Sequence, residues 1–366
     1  LKRIPVNPDE PAPEAVAEAA SALRAGGIVA FPTETVYGLC ADALNADAVR
    51  RLYAAKGRDP EKACAYLLAD ASSAARVAPP MPALARRLAA RFWPGPVTLV
   101  VPGEKEGQTV GLRLPALELP RALADIAGHP LLQTSANRSG EPAALNAAAV
   151  ATSLGSEVDL ILDGGRAPGS KSSTVVRCDR RSVTVLRAGA IPPEEIVRAA
   201  SELTLIACTG NLCRSPLAEA LFRKALAEQL LCPVADLPRH GFRFASFGTM
   251  AMIGKPATEE SVVVGREHGV DLTGHRSRIF SPRLLASARR VYCLARNHLE
   301  FLRPYFAERP ADLDLLDPKG RDIHDPYGRP LKVYRKVGRD IGKAVEKRAL
   351  ELLQAIEEEG ARGQVD

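Results

Sequence analysis

The sequence predicts an α/β protein made of two domains in tandem, and three observations carry that reading. A chain of 366 residues is longer than one hydrophobic core ordinarily organises. At Ile191-Pro192-Pro193-Glu194-Glu195, two prolines and a charged stretch up to Glu202 read as a linker or a short linking helix. Directly afterwards, Leu203-Thr204-Leu205-Ile206-Ala207 is a short apolar run suited to a buried parallel strand. The boundaries that follow are a first domain over 1–197, a linker over 198–202 and a second domain over 203–366.

In chain order, Gly26-Gly27-Ile28-Val29-Ala30-Phe31 reads as a turn and a strand, which leaves as the loop Pro32-Thr33-Glu34-Thr35-Val36-Tyr37-Gly38-Leu39. A helix then carries Val49, Leu52 and Tyr53 on one face and ends near Gly57. That places Lys56 and Arg58 at its rim, with Lys62 close by. Cations are electrostatically welcome at a helix C-terminus, so plain solvation is one reading of them. Further loops bring Arg113-Leu114-Pro115, Thr134-Ser135-Ala136-Asn137, Ser172-Ser173-Thr174-Val175 and Arg187-Ala188-Gly189. Cationic and hydroxyl residues on loops beside strands point to an anionic ligand. Residues 164–172 (GGRAPGSKS) nearly spell a P-loop, but Ser170 stands at the lysine position and Thr174-Val175-Val176 reads as a strand where a helix is needed.

In the second half, Leu217, Leu221, Phe222, Ala225, Leu226 and Leu230 recur with helical period, and Pro216 falls in the first turn, where proline is tolerated. Val337, Ile341, Val345, Ala349, Leu352, Leu353 and Ile356 mark a long amphipathic helix, and 357–366 reads as a polar tail. The pattern is an α/β sheet domain closed by a C-terminal helix.

Composition excludes several classes. Hydrophobic residues at 46% and charged residues at 25% are the balance of a folding chain, not a disordered one. Seven scattered cysteines form no disulfide framework and suit a reducing compartment. Without CxxC pairs or clustered histidines, no metal site is expected. No apolar run approaches the ~18 residues of a membrane span, and Leu1-Lys2-Arg3-Ile4-Pro5 lacks the features of a signal peptide. A cytoplasmic location and no membrane partner are therefore expected. A net charge of +6 tolerates phosphate-bearing partners and is too mild to single out nucleic acid.

The most specific stretch is Cys208-Thr209-Gly210-Asn211-Leu212-Cys213-Arg214-Ser215-Pro216. A cysteine ends a strand, an arginine follows after five residues, and a helix begins there. Backbone N–H groups of such a loop converge on an anion at the helix N-terminus. Arg214 can grip two phosphate oxygens with its planar fork. The cysteine must be a thiolate to attack phosphorus, and the loop amides, Arg214 and the Ser215 hydroxyl would support that form. Gly210 would let the loop turn tightly and Asn211 would pin it. A leaving group needs a proton, for which Asp325-Pro326-Tyr327-Gly328 offers a loop aspartate. Cys213 either packs or forms a reversible disulfide that shields Cys208.

Together these residues resemble the low-molecular-weight protein tyrosine phosphatase family, over Leu203 to about Ile356 and including Ser246-Phe247-Gly248-Thr249 and His275-Arg276-Ser277-Arg278. The resemblance implies a parallel-sheet α/β fold with helices on both faces. It also implies Cys208 as nucleophile, Arg214 as phosphate clamp, Ser215 as thiolate partner and Asp325 as general acid, acting on phosphorylated proteins without a cofactor. Tyr327 and Leu212 lean towards phosphotyrosine; the 325–330 loop and Gly254-Lys255-Pro256-Ala257-Thr258 look equally like the protein-arginine phosphatase branch.

The first half is similar to the YrdC-like threonylcarbamoyl-adenylate synthase family from about Ala15 to Ile191, through five separate motifs in order. That resemblance implies a twisted α/β open sheet with a basic cavity, which joins L-threonine, bicarbonate and ATP carrying Mg²⁺ into threonylcarbamoyl-AMP for the tRNA-modification machinery. Carried over residue by residue, Lys56, Arg58 and Lys62 would meet the triphosphate. Thr33, Thr35 and Arg113 would hold threonine, while Thr134, Ser135, Asn137, Ser173 and Arg187 would line the nucleotide pocket. Leu117 stands where the family usually has histidine, and Ala63-Cys64 where a proline is common. A competing reading makes this half a double-stranded RNA or tRNA binding module, whose binding would weaken steeply with salt.

Overall fold

The computed structural model describes residues 1–59, 63–308 and 312–362. Lys62 lies outside the described residues. The chain forms two compact units, one over Leu1–Ala200 and one over Ser201–Glu359.

The first unit is built on strands β1 (Lys2–Pro5), β2 (Val29–Phe31), β3 (Gly38–Asp42), β4 (Ala65–Leu67), β5 (Val97–Pro102), β6 (Thr109–Arg113), β7 (Leu131–Ser135), β8 (Leu160–Asp163), β9 (Thr174–Cys178) and β10 (Val183–Arg187). Among the described residues they form one mixed sheet in the order β1-β8-β2-β3-β7-β4-β6-β5-β9-β10. Side chains alternate between the faces of a strand, so residues i and i+2 share one. Leu99 and Val101 of β5, Leu112 of β6 and Val176 of β9 bury themselves in one core with Leu84 and Leu88 of the helix Ala83–Phe92. Their neighbours Thr98, Gly111, Arg113 and Val175 are thereby sent to the opposite face, where they line a cavity.

Residues 198–200, expected in the linker, are the last turn of the helix Pro193–Ala200. The prolines start a short helix, as one of the two sequence readings has it, and its Ile196 and Ala200 are fully buried in the same core. Only Ser201 separates that helix from the next strand.

The second unit has four parallel strands, β11 (Glu202–Cys208), β12 (Phe242–Gly248), β13 (Ala288–Cys293) and β14 (Asp312–Leu315), in the order β12-β11-β13-β14. Helices cover both faces. Phe222, from the helix Arg214–Leu230, stacks on Phe244 of β12 and Tyr292 of β13 with ring centroids 5.2 and 5.6 Å apart. On the other face Leu205, Ala207, Phe247 and Val291 pack with Leu285, Leu302 and Phe306. The interior strand β11 thus delivers Cys208, 2% exposed, to the C-terminal edge of the sheet. In parallel sheets that edge is where ligands bind.

The last helix runs over Leu331–Arg362 and buries Val337, Ile341, Val345, Ala349, Leu352 and Ile356. It continues past Glu357, where the sequence reads as a tail; glutamates propagate an established helix readily, even where no apolar face asks for it. Among the described residues no helix is long and apolar enough to cross a membrane.

Candidate active sites

In the second unit, the loop between β11 and its helix wraps around the Cys208 sulfur. The left-handed residue of that loop is Asn211, with φ 55°, not Gly210. A Cβ on Gly210 would meet only the Leu212 side chain at ordinary contact distance. Left-handed backbone costs a residue with a Cβ ~1–2 kcal/mol, least for asparagine. A dense hydrogen-bond set offsets that cost. Asn211 Nδ2 donates to Ser215 Oγ (3.0 Å) and Ser246 Oγ (2.9 Å), and its Oδ1 accepts from the Arg278 amide at 2.8 Å. Its carbonyl accepts from His275 Nε2 at 2.7 Å, and burial pulls the His275 pKa down. Gly248 sits under the loop, where a Cβ would overlap the Thr209 carbonyl oxygen, so only glycine lets β12 pass.

This frame aims donors at sulfur. The Asn211 amide points at Cys208 Sγ from 3.2 Å, and Ser215 Oγ lies 2.9 Å from it. The Arg214 side chain is nearly buried; its Nη1 donates to the Ile323 carbonyl at 3.0 Å, and its Nη2 pairs with Asp325 Oδ2. Asp325 itself is half exposed, and its other oxygen accepts from the Tyr327 amide at 3.2 Å. The structure therefore joins Cys208, Arg214, Ser215 and Asp325 into one cluster. Cys213 Sγ lies 3.6 Å from Thr258 Oγ1 and from Tyr334 Oη, and burial pushes its thiol pKa up. Leu212 is half-buried, and its carbonyl accepts from the Thr258 amide.

In the first unit, the cavity lies on the sheet face opposite the core. Thr33, Thr35, Arg58, Arg113, Thr134, Ser135, Ser173 and Arg187 all line it. Gly111 keeps its floor open, since a Cβ there would press on Ala65 at 3.0 Å. The Thr33 hydroxyl donates to the Val36 carbonyl at 2.6 Å, so Thr35 Oγ1, 2.8 Å away, is the donor between the two threonines. Ser173 Oγ lies 2.9 Å from Thr98 Oγ1 and accepts from Arg187 Nη2 at 3.2 Å.

Arg113 is 2% exposed and pairs through Nη2 with Glu34 Oε1, whose other carboxylate oxygen accepts from the Ala116 amide at 3.0 Å. Its Nη1 is buried without a partner among the described residues. Burial lowers the Arg113 and Arg187 pKa values, yet both stay cations at any ordinary pH.

Lys56 and Asn137 stand behind the cavity wall, not at a solvated rim. Lys56 is 3% exposed, and its ammonium donates to the carbonyls of Ser135 (2.7 Å) and Asn137 (2.5 Å). Burial, then the Arg58 charge, pulls its pKa down to about 8. Leu117 stands at the N-cap position of the helix Glu118–Ala127 without a capping side-chain hydrogen bond, and Cys64 lines the cavity. The strand β9 follows the near-P-loop stretch, so that stretch has no helix to cradle a phosphate. Reading by motif assigned no role to Glu34, whose charge between two threonines was the available signal, or to Thr98, which stands in the stretch Phe92-Trp93-Pro94-Gly95-Pro96-Val97-Thr98-Leu99. Among the described residues, no three His, Cys, Asp or Glu side chains converge as a metal-binding group.

Fold and sites define two α/β domains, one with a cavity lined by arginines and hydroxyls and one with a cysteine at a strand end beside a paired arginine and aspartate. Residues 21–189 match the family model of Sua5, YciO and YrdC proteins, described as telomere recombination, and residues 204–362 match that of low molecular weight phosphotyrosine protein phosphatases. The threonylcarbamoyl-AMP synthase of Bacillus subtilis is 40% identical over 190 residues, 50% of this chain and 55% of that protein. The chain thus spans little more than half of that relative. The synthase of Halorhodospira halophila is 37% identical over 183 residues, 48% of this chain and 95% of that protein. A low molecular weight protein tyrosine phosphatase structure from T. tengcongensis is 30% identical, covers 41% of this chain and 99% of its own, and has a TM-score of 0.37. The chain belongs to the Sua5, YciO and YrdC family in its first half and to the low molecular weight phosphotyrosine protein phosphatase family in its second.

Proposed function

We propose that the chain carries two enzymes, a threonylcarbamoyl-AMP synthase followed by a cysteine-dependent protein phosphatase. The observation that carries the phosphatase reading is the convergence on Cys208 Sγ of the Asn211 amide and Ser215 Oγ, with Arg214 and Asp325 paired beside it. Cys208 Sγ attacks the phosphorus of a phosphorylated side chain, and the bond from phosphorus to the leaving group breaks. Asp325 gives the leaving atom its proton. Water, activated by the Asp325 carboxylate, then attacks the phosphocysteine and releases inorganic phosphate and the thiolate. The phosphate takes the Arg214 fork, which frees Asp325 for its acid role.

We read phosphotyrosine as the substrate. Tyr327 is 64% exposed and offers a ring on which a phenyl phosphate can stack, and Leu212 adds an apolar contact. Hydrolysis of phosphotyrosine and phosphoarginine peptides by the purified chain tests this. Faster turnover of the tyrosine peptide supports it; a preference for arginine moves the domain to the protein-arginine phosphatase branch.

The first half joins ATP, L-threonine and bicarbonate into threonylcarbamoyl-AMP, releasing pyrophosphate and water. Mg²⁺ enters with the nucleotide, and the product serves tRNA modification. The buried Arg113 Nη1, without a partner among the described residues, supports a role for Arg113 towards the threonine carboxylate, and the position of Arg58 and Arg187 in the cavity lining supports a role towards the phosphates. The cytoplasm is the compartment that supplies these substrates.

Lys56 makes nucleotide binding pH-dependent. Its ammonium lies 3.1 Å from Ser135 Oγ, which lines the cavity, so a bound triphosphate favours the charged form and raises its pKa above the free value of about 8. Affinity for ATP is therefore expected to hold below pH about 8 and to fall as pH rises above it. Calorimetric titrations between about pH 6.5 and 9.5 read this directly, and Lys56→Met should flatten the profile. A profile with the same slope in that variant would remove Lys56 from the role.

A further inference from the structure

A histidine that the phosphatase chemistry does not use stands directly behind the phosphate loop. His298, in the helix Arg296–Leu302, is 1% exposed. Its Nε2 lies 2.9 Å from Thr209 Oγ1, and Arg214 Nη2 donates to that same hydroxyl at 3.4 Å. Its Nδ1 is buried with no partner among the described residues. A buried polar atom left unpaired costs ~1–3 kcal/mol, so an apolar side chain would serve better here if packing were the whole requirement.

The Thr209 hydroxyl is the shared atom. It touches the guanidinium that must meet the phosphate and the imidazole that meets nothing else in the cluster. With Nη1 on the Ile323 carbonyl, Arg214 is fixed at one nitrogen by backbone and at the other by Thr209 and Asp325. Asp325 must leave that nitrogen to protonate a leaving group. During that step, Thr209 is the contact that still defines where Nη2 sits. Burial, and the Arg214 charge after it, hold the His298 pKa down to about 4, so the ring is neutral at ordinary pH and does not repel the guanidinium.

We propose that His298 is a positioning residue of the phosphatase half, holding the Thr209 hydroxyl and through it the phosphate-binding edge of Arg214. The proposal rests on the phosphatase reading above. It makes a specific claim about coupling: His298 acts through Thr209, so removing one partner should make the other irrelevant.

The test compares the full chain with His298→Ala, His298→Gln, Thr209→Val and the His298→Ala/Thr209→Val double variant, using p-nitrophenyl phosphate turnover and calorimetric binding of inorganic phosphate. Misplaced catalytic groups cost up to ~100-fold. His298→Ala is expected to lower kcat/KM by about 10-fold or more. His298→Gln, whose amide reaches the place of Nε2, should recover most of that loss. In the Thr209→Val background, His298→Ala should cost nothing further, whereas independent effects would multiply. Phosphate affinity should follow the same pattern. Multiplying losses, a glutamine variant as poor as the alanine one, or unchanged phosphate affinity in His298→Ala would each overturn the proposal. Phosphate binding reads the position of Arg214 without turnover, so a chain that binds phosphate in this pattern but hydrolyses nothing sinks the phosphatase reading alone. If His298→Ala does not fold, the glutamine and valine variants carry the comparison.

Discussion

A Cys208→Ser chain is expected to lose phosphoester hydrolysis by more than about a thousandfold while still binding inorganic phosphate. The two outcomes separate because they rest on different atoms. Binding draws on the loop amides and the Arg214 fork, which the substitution leaves in place, and on a hydroxyl that fits where the thiol was. Attack on phosphorus needs an ionised sulfur, and a serine hydroxyl in the same cradle remains a neutral alcohol. Steady-state hydrolysis of p-nitrophenyl phosphate measures the first effect and calorimetry with phosphate the second. A serine variant that turns over like the wild type would show that some other group is the nucleophile.

The second large effect is expected at Arg113. Arg113→Met should reduce threonine-dependent pyrophosphate release by about 100-fold, mainly by raising the KM for threonine, because a charge-assisted guanidinium–carboxylate contact is lost. The variant also leaves the Glu34 carboxylate without its cation. Removing one partner of a buried pair costs roughly 3–5 kcal/mol, but Glu34 is partly exposed and keeps the Ala116 amide, so the loss of stability should fall short of that. Adding Glu34→Gln removes the stranded charge. The double variant should therefore melt closer to the wild type and still fail to use threonine. A double variant that recovers activity together with stability would reduce Arg113 to a structural role.

What the sequence made legible was local. Cys208 to Ser215 are consecutive, so their chemistry could be read from order and type alone, and the apolar run before them placed the cradle at a strand end. Asp325 was found because the chemistry demands an acid and a proline-flanked aspartate advertises a loop. The rest depended on contacts across the chain. Lys56 looked like a solvated helix end because its helix reads that way by periodicity. Its carbonyl partners come from positions 79 and 81 residues away, which no local pattern announces. The Arg113–Glu34 pair likewise spans 79 residues, and the contact between His298 and Thr209 spans 89. Within the loop itself, glycine was the obvious residue for the tight backbone. The left-handed turn falls instead on Asn211, whose side chain supplies the hydrogen bonds that compensate for it. At the paired prolines a linker and a short linking helix were both legible; that Ile196 of the helix Pro193–Ala200 belongs to the first core rests on contacts across the chain that no local pattern announces.

The central claim is that one chain holds two chemically separate active sites. The most direct test assays phosphoester hydrolysis and threonine-dependent pyrophosphate release side by side in the wild type, Cys208→Ser and Arg113→Met. A crossed result is expected. Cys208→Ser loses the hydrolysis and keeps the pyrophosphate release, while Arg113→Met does the reverse. Either variant losing both activities, or a wild-type chain that releases pyrophosphate no faster with threonine than without it, would contradict it.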